Sequence, residues 1–213
     1  KITSKLLTNT KDWVVGCSVG RLIEMKGGKE VFSMSLKLLK NLPGPHNQEN
    51  ICLAYAACKA IGVKSNMIKT AVKSYVGLTH RIQLVGIRHG VKYINDSKAT
   101  NGDSASVALQ TFKNIHWICG GEKKEGKLKN LALNTKSVKK AYVIGENPIE
   151  FATQLGFEPY ELCGSMEDAV KSASERAIPG DTVLLSPAAA SFDQYQDFEK
   201  RGEHFMDLVN KIL

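Results

Sequence analysis

From His80 to the C-terminus, short apolar runs alternate with stretches of helical periodicity, and this alternation limits the fold more than any other feature of the chain. Ile115 to Cys119, Ala141 to Ile144 and Thr182 to Leu185 are apolar runs of strand length. Such runs suit strands buried on both faces, as in a parallel sheet covered by helices. The pattern predicts helices over residues 102–111, 127–134, 147–156, 166–177 and 193–211. Repetition of strand and helix in this way implies an α/β fold with a mainly parallel sheet. A hairpin-like run, Ile82 to Tyr93, leads into it.

Ahead of His80 the pattern differs. The segments beginning at Trp13, Gly20 and Glu30 read as strands, and Gly27-Gly28 between two of them is a hairpin signal. No helix accompanies these strands until residue 47, so they show no obvious core of their own. Asn47 is a good N-cap for a helix that carries Ile51, Ala54, Ala57, Ala60 and Ile61 to a stop at Gly62. A second helix spans Ser65 to Tyr75. A hinge placed at Gly77 to His80 gives two domains, 1–79 and 80–213.

Composition removes several function classes. With 213 residues, 43% of them hydrophobic, the chain can build proper cores. No apolar run approaches the roughly 18 residues of a membrane span, and Lys1 to Thr8 lacks the apolar segment of a secretory signal. The first residue is not Met, so the chain is expected to begin inside a longer protein. Five scattered cysteines, with no Cys-x-x-Cys pair, read as reduced core thiols of a cytoplasmic protein. The net charge of +8 could suggest nucleic acid, but only five of the 29 basic residues are arginines and aromatics make up 7%. A solvated lysine surface biased towards small anions is the better reading. The expectation is a monomer with small-molecule substrates, no nucleic acid and no membrane insertion.

The densest chemistry lies in Ile94-Asn-Asp-Ser-Lys-Ala-Thr-Asn101, between the hairpin and a small-residue helix, Ser104 to Leu109. In open α/β sheets, ligands collect at the carboxyl ends of strands and at helix N-termini. A carboxylate there can accept from a ribose or help hold Mg²⁺, and a lysine can pair with phosphate or carboxylate. An ordinary capped helix after a solvated loop fits the same residue types equally well.

The whole string resembles the signature of the Mur ligase family, in its D-glutamate-adding branch. The resemblance extends to Leu42-Pro-Gly-Pro-His-Asn-Gln-Glu-Asn50, His80-Arg81, Gly120-Gly121 and the run from Leu185 to Gly202, in order, from about residue 40 to the C-terminus. It implies that 1–79 is the end of a central ATPase domain and 80–213 a complete Rossmann-like third domain. It further implies that Asn47 and Asn50 border the adenine of ATP, that Arg81 contacts the nucleotide, and that Asp96 faces its ribose side. Lys98 and Thr100 match residues where nucleotide and D-glutamate meet. Lys124, with Lys123 one residue out of register, matches the lysine for the D-glutamate side-chain carboxylate. Ser191 and Phe198 match further D-glutamate contacts, Phe198 through its backbone, although its helical spacing with Phe205 and Leu208 suits a core role equally. Substrates implied are ATP, D-glutamate and UDP-N-acetylmuramoyl-L-alanine, with Mg²⁺ ligands lying mainly outside the chain.

Two rival motifs fail. Gly121-Glu-Lys-Lys-Glu-Gly126-Lys127-Leu128 nearly spells a P-loop, but Leu128 has no hydroxyl for Mg²⁺, and Glu122 and Glu125 would face incoming phosphates. Ser186 and Ser191 lack the Gly-x-Ser-x-Gly elbow of a serine hydrolase. Ser186 to Ser191 is instead expected to open the last helix, whose N-terminus could hold a carboxylate.

Overall fold

Among the described residues of the computed structural model, three antiparallel strands come first: β1 (Val14–Ser18), β2 (Arg21–Lys26) and β3 (Lys29–Ser35), in that spatial order. The structure describes residues 12–37, 39, 41–122, 128 and 131–212, without the side chains of 132–134. The chain divides into two compact units, Lys1–Gly77 and Leu78–Leu213, a division two residues ahead of the boundary expected from sequence.

In the first unit, Gly27 and Gly28 join β2 to β3 with φ of 58° and 76°, a turn that glycine makes at no steric cost. Contrary to the expectation from sequence, these strands do have a core. Leu22, Met34 and Leu36 meet Ile51, Cys52 and Tyr55 of α1 (Pro45–Ala60) and Ile68 of α2 (Ser65–Ser74). The apolar stripe expected on α1 is the wrong one: Ala54, Ala57 and Ala60 are exposed, and Ile61 is 81% exposed. This helix is apolar on two sides, and the sheet takes the side with the large residues. Phe32 stacks on Tyr55 at 5.5 Å, and the Tyr55 hydroxyl donates to buried Glu24 at 2.6 Å. Nor is Asn47 the N-cap. Gly44 holds that position with Pro45 in the first turn, where its missing N–H costs nothing. The Asn47 amide donates back to the Pro43 carbonyl at 2.7 Å.

The second unit is a six-stranded sheet in the order β4-β5-β9-β6-β7-β8. Its members are β4 (Gln83–Arg88), β5 (Val91–Asn95), β6 (Ile115–Gly120), β7 (Val138–Ile144), β8 (Tyr160–Gly164) and β9 (Thr182–Leu185). All neighbours are parallel except the β4–β5 hairpin at one edge. Side chains alternate between two cores. Trp117, Cys119, Ala141, Val143 and Leu184 face α3 (Gly102–Thr111) and α4 (Pro148–Leu155). Ile118, Tyr142, Ile144, Val183 and Leu185 face α5 (Met166–Arg176) and α6 (Phe198–Ile212).

Two expected helices differ. Where 127–134 was expected to be helical, the described backbone forms a 3-10 helix at Ala132–Ser137, and residues 127, 129 and 130 lie outside the described set. The last helix starts at Phe198 rather than 193. The amides of Gln194 and Tyr195 turn back onto the Ser191 carbonyl at 3.1 and 2.8 Å, and Asp197 accepts from the Lys200 amide at 2.7 Å. Ser186 to Ser191 therefore does not open a helix, and Ser191 stands at no helix N-terminus.

Candidate functional site

Strands β5 and β9 are parallel neighbours whose chains leave to opposite faces of the sheet. After β5 the chain enters α3 on one face; after β9 it reaches α6 on the other. Such a switch point opens a crevice beyond the carboxyl ends of the strands, where α/β sheets bind ligands. Asn95 to Asn101 and Ser186 to Asp197 are the two loops that form its banks. Asn101 caps α3 by accepting from the Ser104 amide at 2.9 Å.

Asp96 holds the banks together. Its carboxylate accepts from the Ser186 hydroxyl at 2.8 Å and the Ile82 amide at 3.1 Å, and it is 5% exposed. Burial pushes its pKa up to about 7, against the opposing pull of those two donors and of the Arg81 charge. The backbone is stitched as well: Asp96 N–H donates to Leu185 O at 2.8 Å, Ala188 N–H to Ala99 O at 2.9 Å, and Lys98 N–H to His80 O at 3.0 Å.

A second fastening comes from α6. Arg201 is 1% exposed, yet it makes its hydrogen bonds to neutral acceptors. Its Nε reaches Ser97 Oγ at 3.0 Å; one terminal nitrogen reaches Ser97 O at 2.9 Å; the other reaches Ala189 O and Ala190 O at 3.1 and 3.0 Å. The five-donor fork of a guanidinium suits this spread of carbonyls. Burial draws the pKa of Arg201 down to about 10, still far above neutrality, so it stays charged. The Ser97 hydroxyl itself donates to Phe198 O at 2.8 Å. Beside it, Asn95 Nδ2 lies 3.0 Å from His80 Nδ1, and Gly202 lies where a Cβ would collide with that imidazole. Burial lowers the His80 pKa, so the ring is favoured neutral.

A cleft of about 570 Å³ lies on the α3–α4 side, walled by Asn101, Gly121, Asn147, Ala188, Ala189 and Phe192. Glu122, Glu146, Glu150 and Asp193 line it as well. The Asp193 carboxylate accepts from the Glu146 amide at 3.2 Å.

Residues 80–189 match the family model described as "Mur ligase, glutamate ligase domain". The chain belongs to the Mur ligase family. It is 49% identical over 201 residues to the UDP-N-acetylmuramoylalanine–D-glutamate ligase of Cereibacter sphaeroides (strain ATCC 17025) and 51% identical over 201 residues to that of Ruegeria pomeroyi. Each match covers 94% of this chain and 43% of the relative, so the chain spans under half the length of those curated relatives. Among solved structures, the MurF ligase of Thermotoga maritima in complex with ADP superposes with a TM-score of 0.65, covering 95% of this chain and 47% of that one. At 17% identity that likeness shows the Mur ligase fold and no more.

Within this Mur ligase chain the described sequence-predicted residues fall into three groups. Asp96, Lys98, Thr100, Ser191 and Phe198 sit on the two banks of the switch point and on the helix start beside them. Arg81 is exposed on the entry to β4, next to the amide that Asp96 accepts from. Asn47 and exposed Asn50 belong to the first turns of α1 in the other unit. Lys123 and Lys124 lie outside the described residues. Ser191 is 2% exposed, a buried member of its bank. Among the described residues, the core that Phe205 and Leu208 join does not include the half-buried Phe198 ring. It lies under the Lys98 ammonium, 4.2 Å from Nζ to the ring centre.

Sequence reasoning missed Ser97, Ser186 and Arg201 as parts of this Mur ligase site. A charged residue on an amphipathic helix reads as solvated surface, which hid Arg201. Besides its place in the Leu185–Gly202 run, the physical signal was Gly202 beside it. Glycine inside a helix costs about 1 kcal/mol relative to alanine, so its presence there marks a close approach.

Proposed function

We propose that this chain is the D-glutamate-binding and part of the nucleotide-binding section of an ATP-dependent ligase that adds D-glutamate to UDP-N-acetylmuramoyl-L-alanine in peptidoglycan synthesis. The observation that carries this reading is the intact Asn95–Asn101 string on the bank of the switch point, in a chain half identical to relatives bearing that name. In the proposed reaction the alanyl carboxylate attacks the γ-phosphorus of ATP and ADP leaves. The D-glutamate amine then attacks the acyl phosphate carbon, gives up a proton, and phosphate departs.

The protein's part in such chemistry is positioning and charge. Lys98, exposed on its loop, offers an ammonium to phosphate or carboxylate oxygens. Arg81 supplies a second cation beside the same loop, suited to the nucleotide. Lys124 and Ser191 are assigned to the D-glutamate carboxylates, and the Phe198 backbone to the same substrate. Asp96 is engaged on both oxygens by internal donors, so its contribution to the ribose side works through a fixed loop as well as through its remaining lone pairs. Asn47 and Asn50 are assigned to adenine, residues 1–79 to the end of the ATPase domain, and 80–213 to the third domain. Among the described residues no group of three or more His, Cys, Asp or Glu is placed to hold a metal. On the family resemblance, the Mg²⁺ that phosphoryl transfer uses is assigned mainly to the remainder of the protein, and no step here runs through it. The setting is the cytoplasm, with a monomer acting on small molecules.

Phosphate release by the whole enzyme, with ATP, UDP-N-acetylmuramoyl-L-alanine and one amino acid at a time, tests the reading. D-Glutamate should sustain turnover and other amino acids should not. Turnover with another amino acid in preference to D-glutamate, or with a folate in place of the UDP substrate, would overturn it. The 213 residues alone contain no Gly-x-x-x-x-Gly-Lys-[Ser/Thr] string and should show no turnover.

A further inference from the structure

Ser97 and Lys98 are consecutive, and both grip the same distant residue, Phe198. The Ser97 hydroxyl donates to the Phe198 carbonyl at 2.8 Å, and the Lys98 ammonium lies 4.2 Å from the centre of the Phe198 ring. The ring is braced from its other neighbour: His80 meets it edge-to-face, with centroids 6.1 Å apart and planes at 83°. His80 is in turn seated against Gly202 and Asn95. Among the described residues Lys98 has no carboxylate within salt-bridge distance.

These contacts separate two ways of holding a lysine. A carboxylate neighbour would fix the ammonium but also neutralise it and compete with an arriving anion. An aromatic face attracts the cation through its quadrupole and leaves the charge and the outward N–H donors free. On the ligase reading above, which it deepens, we propose that the Phe198 ring is a positioning residue that holds Lys98 ready for a phosphate or carboxylate oxygen. The side chain would then act through its π face, besides any contact its backbone makes with the amino acid. Because the same residue is clasped at its carbonyl, Lys98 and the start of α6 keep a fixed separation.

The direct test is a nuclear magnetic resonance measurement on this chain, with kinetics on the whole enzyme. A cation over a ring face feels the ring current, so the Lys98 CεH2 protons should resonate upfield of the other lysines. Phe198→Tyr and Phe198→Trp should retain that shift, and Phe198→Leu should abolish it while the core methyl resonances stay in place. In the ligase assay, Phe198→Leu should lower kcat/KM for D-glutamate about 2- to 5-fold, the range expected from an exposed cation–π contact, with both aromatic variants restoring it. An unshifted Lys98 in the wild type, or aromatic variants no better than Phe198→Leu, would overturn the proposal. A shifted Lys98 in an enzyme that makes no amide with D-glutamate would instead count against the ligase reading and leave the clasp standing.

Discussion

In the first unit the buried carboxylate, Glu24, sits in mid-strand and gathers Trp13 at 2.9 Å, Tyr55 at 2.6 Å and Lys59 at 3.8 Å. Those groups tie helix to sheet within one core. In the second unit the buried acid and the buried cation, Asp96 and Arg201, stand beyond the ends of strands and tie loops to one another. Burying a polar group is costly unless its partners are supplied, in either place. The first arrangement returns that cost as core stability; the second returns it as loops held still, which a binding site requires.

The largest expected effect comes from removing the cation. Arg201→Met leaves Ser97 O and Ala189 O without their donor, while Ala190 O keeps the Glu122 amide and the Ser97 hydroxyl keeps its bond to Phe198 O. At about 1–3 kcal/mol for each buried group left unsatisfied, a loss of roughly 2–6 kcal/mol is expected from the second unit alone. The two tryptophans report separately, Trp13 from the first unit and Trp117 from the second. Urea unfolding followed in the Trp13→Phe background should show the Trp117 transition move. An unmoved transition would mean that the guanidinium is replaceable and the fastening ornamental.

Next in size is a pair of opposite pH responses. The pKa of Asp96 is raised by burial to about 7, above its ordinary value near 4. The folded state therefore keeps a proton that the unfolded chain gives up between about pH 4 and 7, and stability from this group falls as pH rises through that window. Relative to Asp96→Asn, the wild-type second unit should lose on the order of 4 kcal/mol across it. Glu24 behaves in reverse. Burial pushes its pKa up, but Tyr55, Trp13 and Lys59 together hold it below the usual glutamate range. Its contribution is present above that range and lost as pH falls through it, measured against Glu24→Gln. The same sign for both units would refute the contrast.

The strands of the second unit were legible because burial on both faces writes uninterrupted apolar runs such as Ile115 to Cys119. The Asn95–Asn101 loop was legible as a concentration of polar types at a strand end. What holds that loop was not, since Arg201 lies 104 residues from Ser97 and only tertiary structure joins them. In the first unit α1 misled for a different reason. With small apolar residues on one side and large ones on the other, periodicity does not say which side the sheet takes. The start of the last helix was misread because Asp197, rather than the serine run, supplies its cap.

Substrate kinetics should divide by ligand, with Arg81 of the second unit falling on the nucleotide side. Lys124→Ala and Ser191→Ala in the whole enzyme should raise the D-glutamate KM roughly 10- to 150-fold, the value of a lost charged hydrogen bond, with little change in the ATP KM. Asn47→Ala and Arg81→Ala should act on ATP instead. Lys123→Ala is the register control, and damage there with Lys124→Ala silent would shift the assignment by one residue. The smallest effect is expected at Leu53 on the exposed side of α1, 71% accessible. Leu53→Ser should change the stability of this chain by no more than about 0.5 kcal/mol. A larger loss would mean that this side of the helix is covered.

Residue-resolved amide hydrogen exchange on this chain tests the fastened-loop account most directly. The amides of Asp96, Lys98 and Ala99 donate to Leu185 O, His80 O and Asp96 O, and should exchange only when the second unit opens as a whole, at the rate of Ile118 and Leu184. The first-turn amides of α1 near Asn47 lack intrahelical acceptors and should exchange far faster. If the Asp96–Ala99 amides instead exchange as fast as those of the Gly27-Gly28 turn, the loop is not fastened, and the site is formed only when a ligand arrives.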